Sequence, residues 1–101
     1  MELDIQEKPD EILIICRENI SDYDSTDLKK VMVDLLEKKP KKVVFNMNDV
    51  LSISSSAIGK LLMFYKNLAS FNGVLEINGV NDDLYALFTS IKLDRLFTIK
   101  K

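Results

Sequence analysis

The segment VVFNMNDVLSISSSAIGKLLMFYKNLAS, residues 43–70, constrains this chain most: an apolar strand pattern runs through a short turn into three serines and then straight into a helical pattern. Val43, Val44 and Phe45 are β-branched or aromatic and alternate into Met47, until Asn46, Asn48 and Asp49 break the pattern with turn residues. Beyond the serines, Ile58, Leu61, Leu62, Tyr65, Leu68 and Ala69 recur at the spacing of a core-facing helical stripe. Ser54, Ser55 and Ser56 fall where the first helical N–H groups lack intrahelical partners, so one of them is expected to be the N-cap. A cap needs a single serine. The neighbouring hydroxyls should then point outward at a site of partial positive charge, where an added phosphate is stabilised rather than repelled.

The remaining elements read as support for that corner. Leu3 and Ile5 alternate with Asp4 and Gln6 in a short strand, and Pro9 and Asp10 mark a turn. Residues 12–16, ILIIC, are apolar on both faces, as in a central strand covered on at least one side by helices. Several potential caps between Asp22 and Asp27 open a first helix with Leu28, Val31, Met32, Leu35 and Leu36 as its stripe, ending before Pro40. Phe71, Asn72 and Gly73 close the second helix, and Val74 to Ile77 form the next strand. Asn81 caps a third helix with Leu84, Leu87, Phe88 and Ile91 inward, and Leu96 to Ile99 give a last strand. Strands alternating with helices predict an α/β domain: one domain over residues 1–101, with a mostly parallel sheet of about five strands, an antiparallel first strand and about three main helices.

Composition removes several function classes. The chain contains no histidine, which excludes Ser-His-Asp and Cys-His catalysis and histidine-ligated metal sites. The serines and Lys60 do not match the Ser-x-x-Lys spacing of serine-lysine hydrolases. A phosphate-binding P-loop would need glycine at Ser54 and a hydroxyl residue at Leu61. The acidic loops at Asp22, Asp24 and Asp27 and at Asp82 and Asp83 are helix-start residues favoured by the dipole. No cofactor and no metal are expected. A net charge of −2 with interspersed signs gives no footprint for nucleic acid or an anionic membrane, and the lysines around Pro40 read as a solvated helix end. No signal peptide and no membrane-length apolar run occur, so a cytoplasmic location is expected. The lone Cys16 is expected to be a buried strand residue.

The run VVFNMNDVLSISSSAIGKLL resembles the signature of the STAS domain, and in particular of the bacterial anti-sigma factor antagonists, in which Asp-Ser-Ser-Gly-Leu-Gly opens a helix after a strand and a short turn. CRENISDYDSTDLKKVM and GVLEINGVNDDLYALFTSIKLDRLF extend the resemblance over nearly the whole chain. The motif's Asp falls on Ser54, its serines on Ser55 and Ser56, its first Gly on Ala57, and its final Leu-Gly on Ile58 and Gly59. The acidic residue usual before the first helix falls on Ser21, flanked by Asp22 and Asp24. The resemblance implies a STAS fold and a non-enzymatic switch: Ser55 as the residue phosphorylated by an anti-sigma factor that is also a serine kinase, with a serine phosphatase for reset. Ser54 and Ser56 are the adjacent alternatives. Docking is expected through Ser21, Asp22, Tyr23 and Asp24, through Ser54, Ser55, Ser56, Ala57 and Ile58, and through Lys60, Met63 and Asn67 on the second helix. Met63 projects away from the apolar stripe, which suits a partner contact and equally an ordinary surface residue. Two other readings stay open: a non-switching scaffold module of a transporter or signalling complex, in which the serines only cap, and a small-ligand or nucleotide sensor using the helix start as an anion site.

Overall fold

The computed structural model describes residues 3–19 and 25–101, the side chains of 25–27 excepted, so the loop expected to carry Ser21, Asp22, Tyr23 and Asp24 lies outside the described residues. The elements run β1 (Leu3–Glu7), β2 (Ile12–Cys16), α1 (Ser25–Glu37), β3 (Lys42–Asn46), α2 (Ser55–Ala69), β4 (Val74–Asn78), α3 (Asp82–Ser90), a 3₁₀ turn (Leu93–Arg95) and β5 (Thr98–Ile99). The sheet follows chain order, β1-β2-β3-β4-β5. β1 is antiparallel to β2, and every later pairing is parallel. This is the mixed, mostly parallel five-strand sheet expected from the sequence. Because β2, β3 and β4 step across the sheet in one direction through right-handed crossovers, α1 and α2 lie on the same face.

Register sorts the strand residues onto two faces. Ile12 lies beside Val43 and Val43 beside Leu75, while Ile14 lies beside Phe45 and Phe45 beside Ile77. With Cys16 these residues form the floor of the core, which is roofed by Leu28, Met32 and Leu35 of α1 and by Ala57, Leu61, Phe64 and Leu68 of α2. Phe64 meets Phe45 edge-on, ring centroids 6.0 Å apart, a geometry worth about 1 kcal/mol beyond the area buried. The opposite face carries Leu13, Ile15 and Val44, with Glu76 held between Lys42 and Lys100 at 3.6 and 3.5 Å.

Three details differ from the sequence expectation. The buried line of α2 runs through Ala57, Leu61, Phe64 and Leu68; Ile58, Leu62 and Tyr65 flank it, and Ala69 is exposed. The helix is therefore rotated from the expected stripe, with the large Phe64 ring seated over the central strand. In α3 only Leu84 and Phe88 are buried, and Leu87 and Ile91 face outward, because a nine-residue helix rests on one i, i+4 edge. The last strand is only Thr98–Ile99. A left-handed Lys92 and the following 3₁₀ turn consume the preceding residues, leaving Leu96 exposed and Phe97 in the core against Tyr65, 5.5 Å between centroids.

Candidate functional site

The corner between β3 and α2 is built from the backbone outward. Met47 continues β3 into the core, completely buried, with its N–H donating to the Asn78 carbonyl at 2.9 Å. The chain then turns as the Asn48 N–H donates to Asn46 Oδ1 at 3.0 Å and the Val50 N–H to the Met47 carbonyl at 3.0 Å. The next residues are gripped from two sides. Asn19 Oδ1 accepts from the Leu51 N–H at 2.6 Å and from the Ser52 N–H at 3.2 Å, and Asn81 Nδ2 approaches the Val50 and Leu51 carbonyls at 3.4 and 3.5 Å. Gly79 closes the contact from the β4–α3 loop: its φ is +73°, and a Cβ there would stand 2.4 Å from Asn48 Oδ1.

Ser54 is the N-cap of α2. Its extended backbone (φ −76°, ψ 157°) turns its hydroxyl to accept from the Ala57 N–H at 3.1 Å, while its carbonyl accepts the first helical bond from Ile58 at 3.0 Å. The half-buried Ser54 hydroxyl is thus already engaged, whereas Ser55 and Ser56, the first two helical residues, are exposed. The first turn of α2 carries no acidic side chain. Exposed hydroxyls at an uncompensated helix start can accept an anionic group without like-charge opposition from that turn.

The residues expected on the docking surface divide accordingly. Ser56, Lys60, Met63 and Asn67 line one groove between α1 and α2, with Met63 61 % exposed. Ala57 is a correction: it is completely buried, and its methyl packs into the core instead of meeting a partner. Ile58 is half-buried and also packs against the core. Two residues went unnoticed in the sequence. Leu51, 71 % exposed beside the serines, sits on the gripped loop; the apolar pair Val50-Leu51 within a turn was the available signal, since burying Val50 turns its neighbour outward. Val33 of α1, 46 % exposed, faces the same groove as Met63. Away from this surface, burial pushes the Cys16 thiol from its ordinary value of 9.0 up to about 12, as for an inert core residue. Among the described residues, no group of three or more His, Cys, Asp or Glu side chains is placed to hold a metal, and no helix is long and apolar enough to cross a membrane.

A parallel-rich sheet with helices packed on one face, and a serine-capped corner at the end of its central strand, defines a small α/β module with exposed hydroxyls at a helix start. The STAS domain model matches residues 2–101, and the chain belongs to the STAS domain family. Its fold is shared with a protein from Thermotoga maritima described as a candidate anti-sigma factor antagonist (TM-score 0.91, 21 % identity, covering 98 % of this chain and 86 % of that one). The phosphorylated form of the Bacillus cell fate determinant SpoIIAA gives a TM-score of 0.79 at 10 % identity, over 99 % of this chain and 92 % of that one. A sulfate transporter family protein from Wolinella succinogenes gives 0.78 at 19 % identity, over 92 % and 78 %. Comparison with the curated proteins gives no match.

Proposed function

We propose that this STAS domain is an anti-sigma factor antagonist that works by partner switching in the cytoplasm. Unphosphorylated, it docks on an anti-sigma factor serine kinase through the loop at residues 21–24, the serine corner with Leu51, and the face of α2 carrying Lys60, Met63 and Asn67. Docking releases the sigma factor. The observation that carries this reading is the division of labour among the serines: Ser54 does the capping, which leaves Ser55 exposed at a helix start with no acidic neighbour in its turn. The kinase brings ATP and the base. Ser55 Oγ attacks the γ-phosphorus, ADP leaves, and the hydroxyl proton passes to the kinase. The product carries about −2 charge in the contact surface, where desolvation and like-charge repulsion weaken docking. A serine phosphatase hydrolyses the ester and resets the protein, which itself performs no chemistry.

Fold likeness to a sulfate transporter family protein favours a second reading, a scaffold module in which the serines only cap. Incubation with ATP and the serine-kinase anti-sigma factors of the same cell, followed by phosphosite mapping, separates the two. Phosphate on Ser55, absent from Ser55→Ala, is expected. An unmodified protein that binds none of these kinases would leave the scaffold reading standing.

A further inference from the structure

We propose that the groove between α1 and α2 binds an amphiphilic carboxylate, a fatty acid of roughly ten carbons. Its volume is about 480 Å³, within the roughly 300–1,000 Å³ range of small-molecule sites. Met32 and Phe64, both almost fully buried, form its floor; Val33 and Met63, 46 % and 61 % exposed, form its two lips, and Leu36 extends it. A concave surface of this size lined mainly by apolar side chains, with a few polar groups at one end, has the usual make-up of a small-molecule site.

The groove also has a direction. α1 and α2 both return across the same face between parallel strands, so they run parallel to each other and their N-terminal turns lie at one end. Lys29 stands in the second turn of α1, and Ser56 and Lys60 stand in the first two turns of α2. One end of the groove therefore presents two ammonium groups and a hydroxyl, while the lining beyond it is Met32, Val33, Leu36, Met63 and Phe64. Among the described residues, Lys29 and Lys60 are the only ionisable side chains in the lining, and neither forms an ion pair there. The positive ends of both helix dipoles add to the same end. A cationic head with an apolar trough, and no carboxylate among the described lining residues, is complementary to a single anionic head on an alkyl tail. Gly59 leaves the trough open, since nothing lies within 4 Å of where its Cβ would be.

The site needs no kinase and no modified serine. Because it shares Lys60, Met63 and Asn67 with the proposed docking face, an occupied groove and a docked partner would exclude each other. The test uses the full chain alone: backbone amide shifts followed by NMR during titration with decanoate below its micelle concentration, with octanoate, decanol and acetate alongside. The expected result is saturable shifts confined to residues 29–36 and 56–67, with decanoate about fivefold to tenfold tighter than octanoate, as two further partly buried methylenes require. Acetate should give no shifts, and decanol should bind at least tenfold more weakly than decanoate. Gly59→Leu, which fills the trough, and Met63→Asp, a change at an exposed position that places a carboxylate on the lip, should each abolish the shifts while leaving the melting transition in place. Lys29→Gln with Lys60→Gln should weaken decanoate at least tenfold and bring it level with decanol. Scattered or non-saturating shifts, indifference to chain length, or equal binding of decanol by the parent protein would overturn the proposal. So would the absence of decanoate shifts alongside protection of the same residues by an acidic protein partner.

Discussion

Two helix starts lie side by side in this molecule, and they are finished differently. α3 begins at Asn81, whose Oδ1 accepts from the Leu84 N–H at 2.8 Å, and its first turn carries Asp82 and Asp83. α2 begins at Ser54 with a similar cap bond, but its first turn has no carboxylate and two exposed hydroxyls. A side-chain cap bond is made at both; only at α3 does the helix's own first turn carry carboxylates to complement the dipole. The lesson is that capping and charge compensation are separable. The chain completes both at its structural helix and leaves the second undone at the helix where a phosphate is proposed to arrive. Asn81 joins the two by capping α3 while its amide reaches the Val50 and Leu51 carbonyls ahead of α2.

The largest expected effect breaks the joint between the two starts. Gly79→Ala forces a side chain into a positive-φ conformation and against Asn48, and should lower stability by about 2–3 kcal/mol in urea unfolding. Adding Asn48→Ala should restore part of the loss by removing the Oδ1 atom in the way. Next comes removal of each cap. Asn81→Ala should cost about 1–2 kcal/mol, because it removes the cap and the grip on the 50–51 carbonyls together, whereas Ser54→Ala should cost about 1 kcal/mol. Equal costs would show that the Asn81 amide contacts contribute nothing.

A control on the core leaves both starts untouched. Cys16 stays protonated in the fold up to about 12 but ionises at its ordinary value of 9.0 when unfolded. Above pH 9 the unfolded state therefore binds fewer protons, and stability falls with rising pH until the folded thiol also ionises. The share due to Cys16 is about 1.4 kcal/mol by pH 10, and it should vanish from the pH profile of Cys16→Ala. The smallest expected effect addresses charge alone. Asp83→Asn should destabilise by about 0.3–1 kcal/mol and Ser55→Asp should stabilise by a similar amount, both shrinking in 1 M salt. If Ser55→Asp destabilises instead, the α2 start is not the uncompensated site described above.

Most of the fold was legible because its signals are local and strong. The β-branched and aromatic run at Val43–Phe45, the apolar strand ending at Cys16 and the Asn81 cap each appear where their residue types demand. What the sequence hid depends on tertiary placement. The rotation of α2 is set by where Phe64 finds Phe45, and a stripe at 3–4 spacing does not say which of two adjacent lines of residues faces inward. Leu87 and Ile91 fit the helical period yet stay outside, because α3 is short and the chain leaves it through a left-handed Lys92. At the site, the three serines marked the corner, but only the hydrogen bond to Ala57 distinguishes the capping residue from its neighbours. The backbone of the exposed Leu51 is held by Asn19 and Asn81, thirty or more residues away in sequence, which local pattern cannot register.

The most direct test of the switch is calorimetric titration of the anti-sigma factor kinase with two preparations of this protein, unmodified and stoichiometrically phosphorylated on Ser55. The proposal requires tight binding of the first and at least a tenfold weaker affinity for the second, corresponding to about 1.4 kcal/mol or more. Equal affinities for the two preparations would contradict it, because the added charge would then lie outside the contact surface or be accommodated within it.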